Sequence, residues 1–103
     1  MKKYELRKVS ADVALKDKDL IKPGFALEYN ISKHSNGVSD LIKSFDTLEE
    51  AKAVFTNYKS ICDLTHGFAI NFYFFEEYFI QVSDYDEDDE LINEEIIEFS
   101  KII

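Results

Sequence analysis

The residues best equipped for chemistry lie in the last quarter of the chain. Asp84-x-Asp86-x-Asp88 is followed by Leu91 at the eighth place and Glu95 at the twelfth. This matches much of an EF-hand calcium loop, in which alternate oxygens wrap the ion and a terminal glutamate supplies two more. It departs at the sixth place, where Asp89 stands instead of the glycine of the sharp turn. The preceding segment also reads as a strand rather than an entering helix, so an acidic, solvated turn is expected here and no metal site. Cys62 and His66 are four residues apart and would share one face of a helix. A nucleophilic thiol needs an imidazole that lowers its pKa and a third group that orients the pair. Asp63 falls on another face, and no oxyanion-hole glycine pattern precedes Cys62. Cys62 is therefore expected to be a buried core thiol and His66 a cation near a helix C-terminus. His34 belongs to a hairpin turn and cannot be joined to that pair by spacing. Gly24, Gly37 and Gly67 stand singly, so no loop cradles a phosphate. No catalytic residue and no cofactor is assigned; the protein is expected not to be an enzyme.

What remains is charge. The chain has 103 residues, with 12 Lys and Arg against 21 Asp and Glu, a net charge of −9. Residues 1–22 sum to +3, residues 23–75 to −2, and residues 76–103 to −10. Nine carboxylates crowd the sixteen residues from Ser83 to Glu98. A concentration of this kind raises the odds of an interaction surface over a mere solubility device. It argues against direct binding to nucleic acid or to an anionic membrane, which would repel it, and suits a basic protein surface. The expected contact residues are Asp84, Tyr85, Asp86, Glu87, Asp88, Asp89, Glu90 and Glu94, with the tyrosine giving apolar contact among carboxylates that imitate phosphates. The basic residues near the N-terminus (Lys2, Lys3, Arg7 and Lys8) are diluted by acids and read as part of a packed strand or a complement to the acidic end.

A scaffold must hold this segment. One domain of α+β class is expected over 1–103: an antiparallel sheet of four or five strands, built from hairpins, with one central helix on a face. Tyr4 to Lys8 alternates as a strand and carries no signal-peptide core. The longest apolar stretch, near Phe68–Phe75, is too short to cross a membrane, and the single cysteine fits the cytoplasm. Phe25, Leu27, Tyr29 and Ile31 alternate after the Pro23-Gly24 turn and predict a strand. Asn36-Gly37 then suits a type I′ turn, pairing Lys33 with Asp40 and Ile31 with Ile42. A helix starts at Asp46 or Thr47, with Glu49 or Glu50 completing a capping box. Leu48, Ala51, Phe55, Tyr58 and Cys62 carry its apolar stripe toward a stop at His66-Gly67. Phe68–Val82 predicts two strands around a Glu76-Glu77 break. Tyr73, Phe75 and Phe79 would then form a second apolar face, covered by a helix or by a second copy of the chain in a homodimer. Ile92, Ile96, Phe99 and Ile103 fit a short C-terminal helix with Asn93 as N-cap, although Ile96-Ile97 also suits a strand.

The short acidic chain, the hairpin, the helix start from Asp46 to Lys52 and the acidic end together resemble small phage and mobile-element proteins. Some of these, anti-CRISPR proteins among them, inhibit nucleic-acid-binding enzymes. No residue pattern is specific to one family, so no functional residue carries over. The expectation is a non-enzymatic interaction protein whose acidic segment docks on a basic partner; a homodimeric module joined through its aromatic strands is the alternative.

Overall fold

The computed structural model describes residues 1–33, 39–67 and 70–100. One strand organises everything else. β4 (Asn71–Tyr85) runs for 15 residues and pairs antiparallel, over Phe72–Asp84, with the whole of β1 (Lys2–Ala14). Beyond β1 lies β2 (Asp40–Phe45). The other edge of β4 carries two short strands end to end: β3 (Ile61–His66) beside Asn71–Glu76, and β5 (Leu91–Phe99) beside Phe79–Tyr85. Buried Ser60 and Ser100 close the gap between them, their hydroxyls 2.7 Å apart, with Ser100 also bonded to the Tyr78 backbone.

The unbroken β4 corrects the expected hairpin at Glu76-Glu77. Period-2 alternation sends those two carboxylates to opposite faces, and each is accommodated there. Glu76 accepts from the Tyr78 and Ser10 hydroxyls and lies 3.9 Å from the Lys8 ammonium. Glu77 accepts from the Gly24 N–H at 2.7 Å. A Glu-Glu pair looks like a break only when both members are assumed to need water.

The segment expected as a strand after Pro23-Gly24 is instead α1 (Phe25–Lys33). Its first turn is set by Gly24, at φ 87°, whose carbonyl accepts from the Glu28 N–H. Phe25 and Ala26 are buried, and Phe25 meets Phe75 edge-on with ring centroids 6.1 Å apart. Alternating Phe25, Leu27, Tyr29 and Ile31 satisfied a strand on paper. Ala26, which that alternation assigns to the solvent side, is instead fully buried in the cluster beneath α1. The pairings of Lys33 with Asp40 and Ile31 with Ile42 consequently do not form; Asp40 lies opposite Lys8 of β1. Asn36-Gly37 lies outside the described residues.

α2 (Leu48–Phe55) begins with the Thr47–Glu50 capping box: the Thr47 hydroxyl oxygen accepts from the Glu50 N–H and its proton goes to the Glu50 carboxylate. Asp46 instead pairs with Lys3. The helix ends at Phe55, well short of His66, so Cys62 and His66 stand on β3. The expected C-terminal helix is also a strand, β5. Two register shifts between β4 and β5, near Ile80/Gln81 and Asp84/Tyr85, make its spacing irregular and mimic a helical period.

The single-helix expectation is corrected as well, because the two helices cover opposite faces. α1 packs on a cluster of Val9, Ala11, Val13, Phe75 and Phe79, whereas α2 packs on Leu6, Phe45 and Ile80 from the other side. The architecture remains α+β with a five-stranded antiparallel sheet. Among the described residues no helix is long and apolar enough to cross a membrane.

Candidate protein-docking surface

The acidic segment divides into three parts. Asp84 and Tyr85 end β4 and are engaged within the chain. The Asp84 carboxylate lies 3.3 Å from the N-terminal ammonium of Met1, and the Tyr85 hydroxyl donates to Glu5 at 3.1 Å. Burial and the adjoining Glu5 carboxylate hold the Tyr85 phenol above its ordinary pKa. Asp86 builds the turn: its Oδ1 accepts from the N–H groups of Asp88 and Glu90, at 2.8 and 2.9 Å. Asp89 takes φ 60°, a left-handed conformation that aspartate tolerates better than most residues.

Glu87, Asp88, Asp89 and Glu90 form the exposed tip of the β4–β5 hairpin. None of the four makes an ion pair among the described residues, whereas Asp84, Glu5, Glu76 and Glu98 each face a cation. The EF-hand resemblance ends here. A strand stands on each side of the turn, Asp86 is occupied by backbone N–H groups, and no three metal-ligating side chains converge among the described residues.

Glu94 is the third part, set apart from the tip. It projects from β5 opposite Ser83 and accepts from the Gln81 amide at 3.2 Å. There it borders a groove of about 660 Å³ on the sheet face that carries α1. The floor comes from alternate residues of two strands, Glu5 and Arg7 of β1 and Gln81, Ser83 and Tyr85 of β4. Glu5 is only 5% exposed, yet its carboxylate accepts from Ser83 at 2.7 Å, Tyr85, Arg7 at 3.3 Å and Gln81 at 3.5 Å. Arg7 is held on its other side by Ser39, through Nε at 2.6 Å to the hydroxyl and Nη2 at 2.9 Å to the carbonyl. Leu27, Leu91, Glu95 and Ile96 complete the walls.

Glu5, Ser39, Gln81 and Ser83 have no role in the sequence reading, which places Arg7 only in a packed strand or as a complement to the acidic end and Glu95 only at the twelfth place of the calcium-loop pattern. A signal was present: along one face of β4 the aromatic residues Tyr73, Phe75 and Phe79 give way to Gln81 and Ser83.

Of the two covers expected for the second apolar face, the helix is the one found: Phe75 and Phe79 are fully buried within one chain, beneath α1 and against the Phe99 ring, so neither side chain is presented to a second copy. Tyr73 is half-buried, with the Lys18 ammonium 5.8 Å from its ring centroid. Cys62 and His66 still share a face, but four residues of strand separate them by roughly 13 Å. Cys62 is half-buried rather than a member of the buried core, and its thiol is pushed up by burial and by Asp63, away from a nucleophilic thiolate. His66 bonds Asn71 at 2.9 Å.

Comparison with known family models, curated proteins and solved structures finds no match to the chain.

Proposed function

We propose that this is a non-enzymatic interaction protein whose β4–β5 hairpin docks on a basic surface of a partner protein. In its most concrete form it is an inhibitor that imitates nucleic acid and competes for a nucleic-acid-binding groove. The observation that carries this reading is the tip itself: four consecutive carboxylates, Glu87–Glu90, exposed together and without an ion-pair partner among the described residues. Two of the hairpin's own hydrogen bonds to Asp86 hold them on an ordered turn, so docking orders little that is not ordered already.

Contacts of this type weaken with salt, because exposed charges are screened beyond about 8 Å at physiological ionic strength. The test is fluorescence anisotropy with a labelled nona-arginine peptide across about 0.05–0.5 M salt. Affinity should fall steeply as salt rises. It should fall further with Asp88→Asn plus Asp89→Asn than with Glu49→Gln plus Glu50→Gln on α2. Affinity that is flat across the salt series, or equal loss in both variants, overturns the reading.

A further inference from the structure

The groove beside the hairpin has a hydrogen-bonding inventory that selects its ligand. Its donors are mostly engaged: each Arg7 guanidinium nitrogen bonds Ser39 or Glu5, leaving two of five N–H groups, and the hydroxyls of Ser83 and Tyr85 both donate to Glu5. Its acceptors are not. Glu94, on the groove face opposite Ser83, uses one carboxylate oxygen toward Gln81 and leaves the other open. With the Glu5 and Glu94 carboxylates against the Arg7 guanidinium, the groove is net negative. A ligand rich in donors, free of acceptors and positively charged complements such a site, and lysine and arginine head groups have that makeup. The remaining walls are apolar, from Leu27, Leu91 and Ile96. They match the methylene stem that such side chains lay along apolar surface while the charged head meets its partner. A bare divalent cation fits less well, since no three ligating side chains converge here among the described residues.

We propose that the groove receives one arginine or lysine side chain of the partner's basic surface. Its stem lies against Leu91 and Ile96, and its head meets Glu94 at the rim. This rests on the docking function proposed above and assigns its anchor. The hairpin tip supplies long-range attraction, and the groove supplies the seated contact that a flat acidic patch lacks.

The test is a heteronuclear NMR titration of the full chain with N-acetyl-arginine methylamide, and in parallel with its neutral citrulline isostere. Saturable shifts should appear at Gln81, Ser83, Glu94 and Ile96 for the arginine probe and be at least tenfold weaker for citrulline. Glu94→Gln, at an exposed position, should weaken those shifts about tenfold, while Glu95→Gln on the opposite sheet face and Asp88→Asn plus Asp89→Asn leave them in place. Leu91→Lys, which supplies a resident ammonium at the groove wall, should compete with the probe and weaken it similarly. Arginine shifts confined to Glu87–Glu90 would overturn the groove while leaving tip docking intact. Equal shifts from citrulline would overturn the cation assignment. No response here, together with salt-insensitive nona-arginine binding, would overturn both readings.

Discussion

Two glutamates on one sheet face are both buried, yet the chain treats them differently. Glu5 sits at the open end of the face, 5% exposed, with hydrogen-bond donors from Arg7, Gln81, Ser83 and Tyr85 around it. Glu77 sits at the covered end, fully buried between Phe75 and Phe79, with one donor, the Gly24 N–H, and an Oε1 that has no partner. A buried charge is tolerable when its surroundings replace the hydration it has lost. Four donors do so for Glu5. For Glu77 one does not, and burial together with the Glu28 carboxylate pushes its pKa up to about 7. The polar half of the face is therefore organised around a carboxylate, while the apolar half contains one that resists ionisation.

The contrast predicts that one substitution has opposite signs at the two sites. Replacing Glu77 by Gln should give the largest effect, a stabilisation at alkaline pH. Glu77 titrates near 4.5 in the unfolded chain and at about 7 in the folded one, so the native state binds more protons between those values. Native stability should therefore decline as pH rises through that window and level off above it. The difference amounts to roughly 3 kcal/mol by about pH 8, following from the displaced pKa. Glutamine removes the decline. Urea unfolding from about pH 4.5 to 8 checks this by comparing the two proteins at each pH. Parallel profiles would show that Glu77 ionises freely and that the contrast with Glu5 is false.

Glu5→Gln should instead destabilise, by about 2 kcal/mol, because Arg7 is left without its carboxylate and one oxygen that accepted hydroxyl protons becomes an amide donor. The same unfolding measurement reads it, and a neutral or stabilising result would mean that the polar network contributes nothing net.

Gly24→Ala tests the joint between the two halves. Gly24 adopts φ 87°, and an added Cβ would come within 3.4 Å of the Phe99 ring. The strain should cost about 1–2 kcal/mol. Because the Gly24 N–H is the one bond Glu77 has, any displacement there should make the loss larger at about pH 8 than at pH 5. In a double-mutant cycle, the pH-dependent part of that loss should vanish when Gln occupies position 77.

How much of this the sequence disclosed depends on what each residue answered to. Thr47 and Glu50 answer to a local rule, so their capping box was legible, as was the alternation that starts β1. Phe25-Leu27-Tyr29 was not, since its alternation satisfied a strand while Ala26, assigned by it to the solvent side, is buried against the sheet. Glu76-Glu77 misled for the related reason that a fully buried carboxylate is rare and its partner, Gly24, lies 53 residues away. The acidic tip was read directly from composition. The groove was not, because Glu5 and Ser83 are 78 residues apart and meet only through the β1–β4 register.

The smallest effect probes the polar half in isolation. Tyr85→Phe removes one of Glu5's donors, the hydroxyl at 3.1 Å, and leaves Arg7, Gln81 and Ser83 in place. The cost should be about 1 kcal/mol, that of a single hydrogen bond to a carboxylate with other donors. Its pH dependence distinguishes this site from Glu77. The folded phenol is held above its ordinary pKa, so its contribution is fully present below the unfolded value of about 10 and lost only as pH rises beyond it. Across the range in which Glu77 titrates, the cost of Tyr85→Phe should therefore stay constant. A cost that rose or fell between about pH 4.5 and 8 would mean that the two glutamates are coupled along the face, and the division into a solvated half and a dry half would have to be abandoned.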